Sequence, residues 1–191
     1  MSQAETTENR AGGESAEVVA GGVEAALLCV DKALSAERLA EAMNLGEDGA
    51  GAVHAAVEEL NGSYASTGRS FRVERVAGGY RLMTLPEHAG VVAALRGGAN
   101  DGKLTRSAGE TLAIVAYRQP VTRAEVEAIR GVSSGEMLRS LLEKRLVDIA
   151  GRAEEPGRPI LYGTTKFFLE SFGLASLRDL PRPEEIAEED E

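Results

Sequence analysis

Few side chains in this 191-residue chain could do covalent chemistry, and their spacing gives them nothing to work with. The two histidines, His54 and His88, stand without a cysteine or carboxylate at ligand spacing, so no metal site is expected. The single cysteine, Cys29, is expected on an apolar helix face and reads as a small core residue rather than a nucleophile. The pairs Gly78-Gly79 and Gly97-Gly98 lack the spacing of a phosphate loop and the Lys-Ser or Lys-Thr that would follow it. No serine, histidine and acid constellation suggests itself. The expected catalytic, cofactor and metal sets are all empty, and the chain reads as a non-enzyme.

What remains is recognition. Tyr117, Arg118, Gln119 and Pro120 form one polar turn, and Pro156, Gly157, Arg158 and Pro159 form another beside Ile160 and Tyr162. Tyrosine and arginine are the types favoured as anchors in protein interfaces. The competing reading is that Tyr117 and Tyr162 are core-edge residues with satisfied hydroxyls and that the arginines are merely solvated. Nucleic acid is a poorer fit. Aromatics make up 4% of the chain and tryptophan is absent, so a stacking platform for single strands is not supplied. The formal charge is −10 with a pI near 4.9, much of the acidity lying in Glu184, Glu185, Glu188, Glu189, Asp190 and Glu191. Arg118, Arg123, Arg130, Arg152 and Arg158 could form a basic patch, but Glu125, Glu127, Glu154 and Glu155 lie among them. Duplex affinity rests on neutralising several phosphates, so direct DNA binding is expected to be weak or absent.

The elements that would hold these turns follow from periodicity. Hydrophobic content of 43% supports a packed core. Residues 1–21 read as a disordered tail. Val23, Ala26, Leu27 and Val30 then repeat at helical spacing. Ser35 caps a short helix with Leu39 and Met43, residues 46–51 form a loop, and Val53, Ala56, Val57, Leu60 and Tyr64 mark a longer helix. Phe71 and Val73 alternate with polar residues, a turn at Gly78-Gly79 follows, and Tyr80 and Leu82 return. Pro86 opens a further helix bearing Val91, Val92 and Leu95. A linker over 97–103 closes this domain, which spans 22–96.

The same order recurs over 104–177. Ser107 with Glu110, Thr122 with Glu125, and Ser133 with Glu136 are spaced as three capping boxes for three short helices. The second helix is expected to bury Val126 and Ile129. Leu146, Val147 and Ile149 begin a strand, 154–159 is a wing, and Thr164 or Thr165 caps a last helix with Phe167, Phe168 and Phe172. Residues 178–191 read as an acidic disordered tail. The expected fold class is mostly α with small β wings, as two tandem winged-helix domains. In such a fold the third helix would enter a DNA groove. Here it would expose Glu136, Arg139, Ser140, Glu143 and Lys144, a mixed face. One cysteine, no basic leader and no long apolar run lead to the expectation of a cytoplasmic protein without membrane contact.

Leu112-Ala-Ile-Val-Ala-Tyr-Arg-Gln-Pro-Val-Thr-Arg-Ala-Glu-Val-Glu-Ala-Ile-Arg-Gly-Val132 closely resembles the segregation and condensation protein B family. So do Arg139-Ser-Leu-Leu-Glu-Lys144, Gly157-Arg-Pro-Ile-Leu-Tyr-Gly-Thr-Thr165 and the ending through Asp179-Leu-Pro181, with weaker matches in the first domain. Arg145 stands where a glycine commonly ends the third helix. The resemblance implies a non-catalytic subunit of the bacterial condensin-like complex that organises and partitions the chromosome in cell division. It implies a homodimer formed chiefly through the first domain. It also implies that the second domain grips the kleisin subunit, segregation and condensation protein A, which bridges the SMC ATPase heads. Tyr117, Arg118, Gln119, Arg123, Arg152, Arg158, Pro159 and Tyr162 are then expected to contact the kleisin or to support that surface. Leu27, Leu28, Val30, Val91 and Val92 are expected at the dimer interface. The alternative from another class is a winged-helix transcription regulator.

Overall fold

The computed structural model describes residues 16–95 and 104–182; the expected linker over 97–103 lies outside them, as do most of the first tail and residues 183–191. Contacts gather the chain into two compact units. One runs to Arg75 and includes Gly79–Ala89; the other holds Val76–Gly78 and the chain from Gly90 on.

In the first unit, helix α1 (Ala16–Leu28) buries Val19, Ala20, Val23 and Leu27. It begins well before the expected start near Gly22, so residues 16–21 are not tail. Burial of Val19 and Ala20 outweighs the cost of helical glycine, about 0.5–1 kcal/mol for each of Gly21 and Gly22. Because α1 ends at Leu28, Cys29 falls beyond the apolar face and is exposed, not in the core. Helix α2 (Ala36–Met43) is capped by Ser35, whose Oγ accepts from the Arg38 amide at 3.2 Å. Helix α3 (Gly49–Ser66) starts inside the expected loop. A Cβ on Gly49 would stand 2.7 Å from Ala40 Cβ and 2.9 Å from Leu45 Cβ, so only glycine lets α3 begin this close to α2. The anticipated stripe Val53, Ala56, Val57, Leu60 and Tyr64 is buried in full.

Strands β1 (Phe71–Val76) and β2 (Gly79–Thr84) form the hairpin. Its turn is Ala77-Gly78, with φ of 51° and 75°, one residue earlier than expected. Positive φ at both central positions matches the right-handed twist of the strands. Tyr80 on β2 makes a bridge with Leu34, with N–O distances of 2.7 and 3.0 Å. Pro86–His88 then forms a 3-10 turn and leads into helix α4 (Ala89–Leu95), which has no buried residue.

In the second unit, helix α5 (Arg106–Arg118) packs Ala108, Leu112, Val115 and Ala116 inward. Its cap is Thr105, whose Oγ1 accepts from Ala108 N at 3.2 Å, so the expected Ser107–Glu110 box does not form. A two-residue strand unforeseen in the sequence, β3 (Val121–Thr122), precedes helix α6 (Arg123–Arg130). Here the Thr122–Glu125 box is present, with Thr122 N donating to Glu125 at 2.7 Å, and Gly131 ends the helix at φ 70°. Val126 is buried, but Ile129 is 55% exposed, against expectation. Helix α7 (Gly135–Glu143) buries Leu138 and Leu141 and lacks the Ser133–Glu136 box. Strands β4 (Val147–Arg152) and β5 (Ile160–Thr164) complete an antiparallel sheet of order β3-β5-β4, with an irregularity between Ile149 and Gly151.

Thr165 caps helix α8 (Lys166–Phe172), of whose three phenylalanines only Phe168 is buried. The chain then forms a 3-10 turn, Leu177–Asp179, boxed by Ser176 and Asp179, and Leu180 packs against the core. Structure thus runs past the expected domain end at 177. The architecture is mostly α with small β wings.

Candidate functional site

The polar turn at the end of α5 is held from inside. Gln119 Oε1 accepts from Thr164 N at 2.8 Å, while its Nε2 donates to Ala116 O at 3.0 Å and to Thr164 Oγ1 at 2.9 Å. Gln119 is therefore a strut between α5 and β5, with its amide fully spent. Its neighbours differ. Arg118 is exposed and makes no ion pair among the described residues. Tyr117 is 40% exposed, and its hydroxyl donates to the Pro181 carbonyl. Beside Arg118 lies an open depression of about 410 Å³, lined by Arg118, Val121, Glu125, Ala128 and Ile129. It offers an apolar floor between one cation and one carboxylate. The Glu125 carboxyl is held below its usual pKa by hydrogen bonds from the Thr122 amide and hydroxyl, so it stays charged.

A second set of ties sets the angle between α6 and α7. Glu127 accepts from Ser134 N at 2.8 Å, from Arg123 Nε at 2.7 Å and from Ser133 Oγ at 3.2 Å. The Ser134 amide bond, and then Arg123, keep its pKa below the usual value. Glu127 thus does at the start of α7 what the Ser133–Glu136 box was expected to do. Arg123 is engaged here as a support rather than offered as a free cation. Arg130 is the functional-site support that sequence reasoning missed. Its side chain is only 6% exposed, and it reaches Ser107 at 2.8 Å, Ser134 at 3.1 Å and Glu110 at 3.2 Å. One guanidinium therefore ties α5, α6 and α7. Its Nε is buried without a hydrogen-bond partner among the described residues. Nothing local marks Arg130 among the other arginines, because its partners come from two other helices.

The wing is braced in the same manner. Arg152 Nη1 donates to Arg158 O at 3.1 Å, and Ala153 N donates to Pro159 O at 2.9 Å. Arg158 projects from the tip at φ 43°, after Gly157 at φ 86°. Tyr162 is half-buried, opposite Val121 and Ile149 in the sheet, and packs on the core. Of the eight candidates, Arg118 and Arg158 present free guanidinium groups, Tyr117 a partly exposed ring, and the rest hold them in place.

Among the dimer candidates, Leu27 is corrected: at 3% exposure it is spent in the first unit's own core. Leu28 is 68% exposed and Val91 64%, while Val30 and Val92 are half-buried. Of the residues expected outward on α7, Glu136, Arg139, Glu143 and, at its C-cap, Lys144 are exposed and mixed in sign, while Ser140 is half-buried. His54 Nδ1 lies 2.6 Å from Ala50 O, and no cluster of metal-ligating residues exists among the described residues. No helix there is long and apolar enough to cross a membrane.

The model of the segregation and condensation complex subunit ScpB family matches residues 21–183. Segregation and condensation protein B of Syntrophotalea carbinolica is 52% identical over 130 residues, covering 68% of this chain and 66% of that relative. The protein of the same name from Halalkalibacterium halodurans is 45% identical over 159 residues, covering 83% and 79%. That from Symbiobacterium thermophilum is 46% identical over 164 residues, covering 86% and 73%. With the matched span running from within α1 to beyond the last 3-10 turn, this chain belongs to the ScpB family of segregation and condensation complex subunits.

Proposed function

We propose that this chain is a non-catalytic scaffold subunit of a condensin-like SMC–kleisin complex in the cytoplasm, acting in chromosome condensation and partition. In this reading the protein dimerises and its second unit binds the kleisin, segregation and condensation protein A, which links it to the SMC ATPase heads. The observation that carries the binding role is the depression at Arg118. A free guanidinium and an exposed Ile129 stand on backbone braced by Gln119 and by the Thr122–Glu125 box, so a partner has side chains but not backbone to order. Arg158 adds a second free cation on the wing. An acidic and apolar kleisin segment complements this combination.

Arg118→Glu together with Arg158→Glu is expected to abolish co-purification with the kleisin and leave the melting curve nearly unchanged. Retained binding would remove that patch from the interface. For the dimer, Leu28 and Val91 are the exposed apolar candidates. A transcription regulator is not favoured by the carboxylates on α7. Sequence-selective gel shifts by the isolated protein would reverse that preference.

A further inference from the structure

The first unit holds a cleft of about 530 Å³ that the kleisin reading does not use. It lies between the C-terminal half of α3 and the outer edge of β1. Asn61, Tyr64 and Ala65 form one wall, residues 71–75 the other, with Arg69 and Leu85 closing it. Three arginines, Arg69, Arg72 and Arg75, face one carboxylate, Glu74, and Arg72 already engages Glu74 at 2.8 Å. Arg69 and Arg75 make no ion pair among the described residues. In a chain of net charge −10, this is a local excess of positive charge.

The edge of β1 is capped there by a side chain, which leaves binding to the side chains of the cleft. Asn61 Oδ1 accepts from Val73 N at 2.8 Å, and its Nδ2 donates to Val73 O at 2.9 Å. One side chain thus makes the two bonds a neighbouring strand would make, which shows that Val73 turns its peptide groups outward. The other edge of the hairpin is already taken at Tyr80 by Leu34.

We propose that this cleft binds an extended acidic peptide segment of a protein partner. Its carboxylates pair with Arg69 and Arg75, and its apolar side chains lie against Phe71 and Leu85. Arginine recognises carboxylates in bidentate geometry. A nucleic acid fits less well. Glu74 in the cleft and the exposed Glu58 and Glu59 on α3 would oppose a phosphate chain.

The test uses the full chain and a fluorescein-labelled decapeptide of alternating glutamate and valine. A lysine–valine decapeptide and a labelled duplex oligonucleotide run in parallel. The acidic peptide should bind saturably, and Arg69→Glu with Arg75→Glu should weaken it by at least about tenfold, as expected for two lost charge-assisted contacts. The lysine peptide should not bind. Circular dichroism confirms folding, and Arg69→Gln with Arg75→Gln replaces the reversal should that variant not fold. No binding at millimolar peptide, or binding indifferent to both variants, would overturn the proposal. Duplex binding that is lost in these variants, without peptide binding, would reassign the cleft to phosphate.

Discussion

The two units share an order of elements but are held together differently. In the first, helices meet through small apolar residues: Ala36, Ala40, Val53 and Ala56 are buried, and Gly49 lets α3 start against α2. Its polar ties are few, chiefly Asn61 to Val73 and Tyr64 to Glu24 at 2.9 Å. In the second, the apolar core is joined by buried Thr111, Thr122 and Ser134, and by the chain of bonds through Gln119, Glu127 and Arg130. The buried threonines and serine among the described residues all belong to this unit. Apolar packing tolerates small slides, whereas hydrogen bonds weaken steeply off their geometry. The lesson is that the second unit spends its polar groups on fixing a surface, and the first spends its glycines and alanines on closeness.

The largest expected effects are equal in the two units and test whether the apolar cores are comparable. Leu39→Ala and Leu138→Ala each remove a side chain about 1% exposed, and each should cost about 2–5 kcal/mol. Hydrogen exchange resolved by mass spectrometry should show each loss confined to its own unit. Spread across both would mean that the units do not unfold separately.

A smaller effect separates them. Arg130→Met leaves Ser107 and Ser134 without their donor and should cost about 1–3 kcal/mol in urea unfolding, with faster exchange across α5 to α7. Tyr64→Phe removes one bond to Glu24 and should cost about 1 kcal/mol. Burial and the neighbouring carboxylate raise the Tyr64 phenol pKa, so the hydroxyl keeps its donor proton into the alkaline range. A larger loss for Tyr64→Phe than for Arg130→Met would invert the contrast.

The smallest effect is a dependence on pH. Glu125 and Glu127 have folded pKa values below the ordinary 4.5. Their contribution is complete above the unfolded value and is lost as pH falls through the depressed folded values. Stability of α6 should therefore decline below about pH 4.5, and Glu125→Gln with Glu127→Gln should flatten that decline. Melting temperatures from pH-titrated samples read it directly; an unchanged slope would remove these carboxylates from the acid response.

Local features of the sequence carry through to the structure where no distant residue competes. The Thr122–Glu125 box needs only four consecutive residues, and Ser35 caps α2 for the same reason. Ser107–Glu110 has the same spacing and does not form, because Thr105 caps α5 and leaves Ser107 inside the helix, where Arg130, 23 residues away, binds both side chains. Ser133 is likewise drawn to Glu127 and Arg123. Gln119 looks like its neighbour Arg118 in the sequence, yet Thr164, 45 residues on, consumes it. Arg145 takes φ 57° without a glycine while Thr165 Oγ1 donates to its carbonyl.

The sequence by itself determined the main helices and the two hairpins, their order and the main apolar stripes, since these follow from periodicity. Which polar groups brace the turn and which stay free was decided only by tertiary structure. A hydrogen-bonding side chain goes to whichever partner the fold brings within about 3 Å, and that partner is often far along the chain.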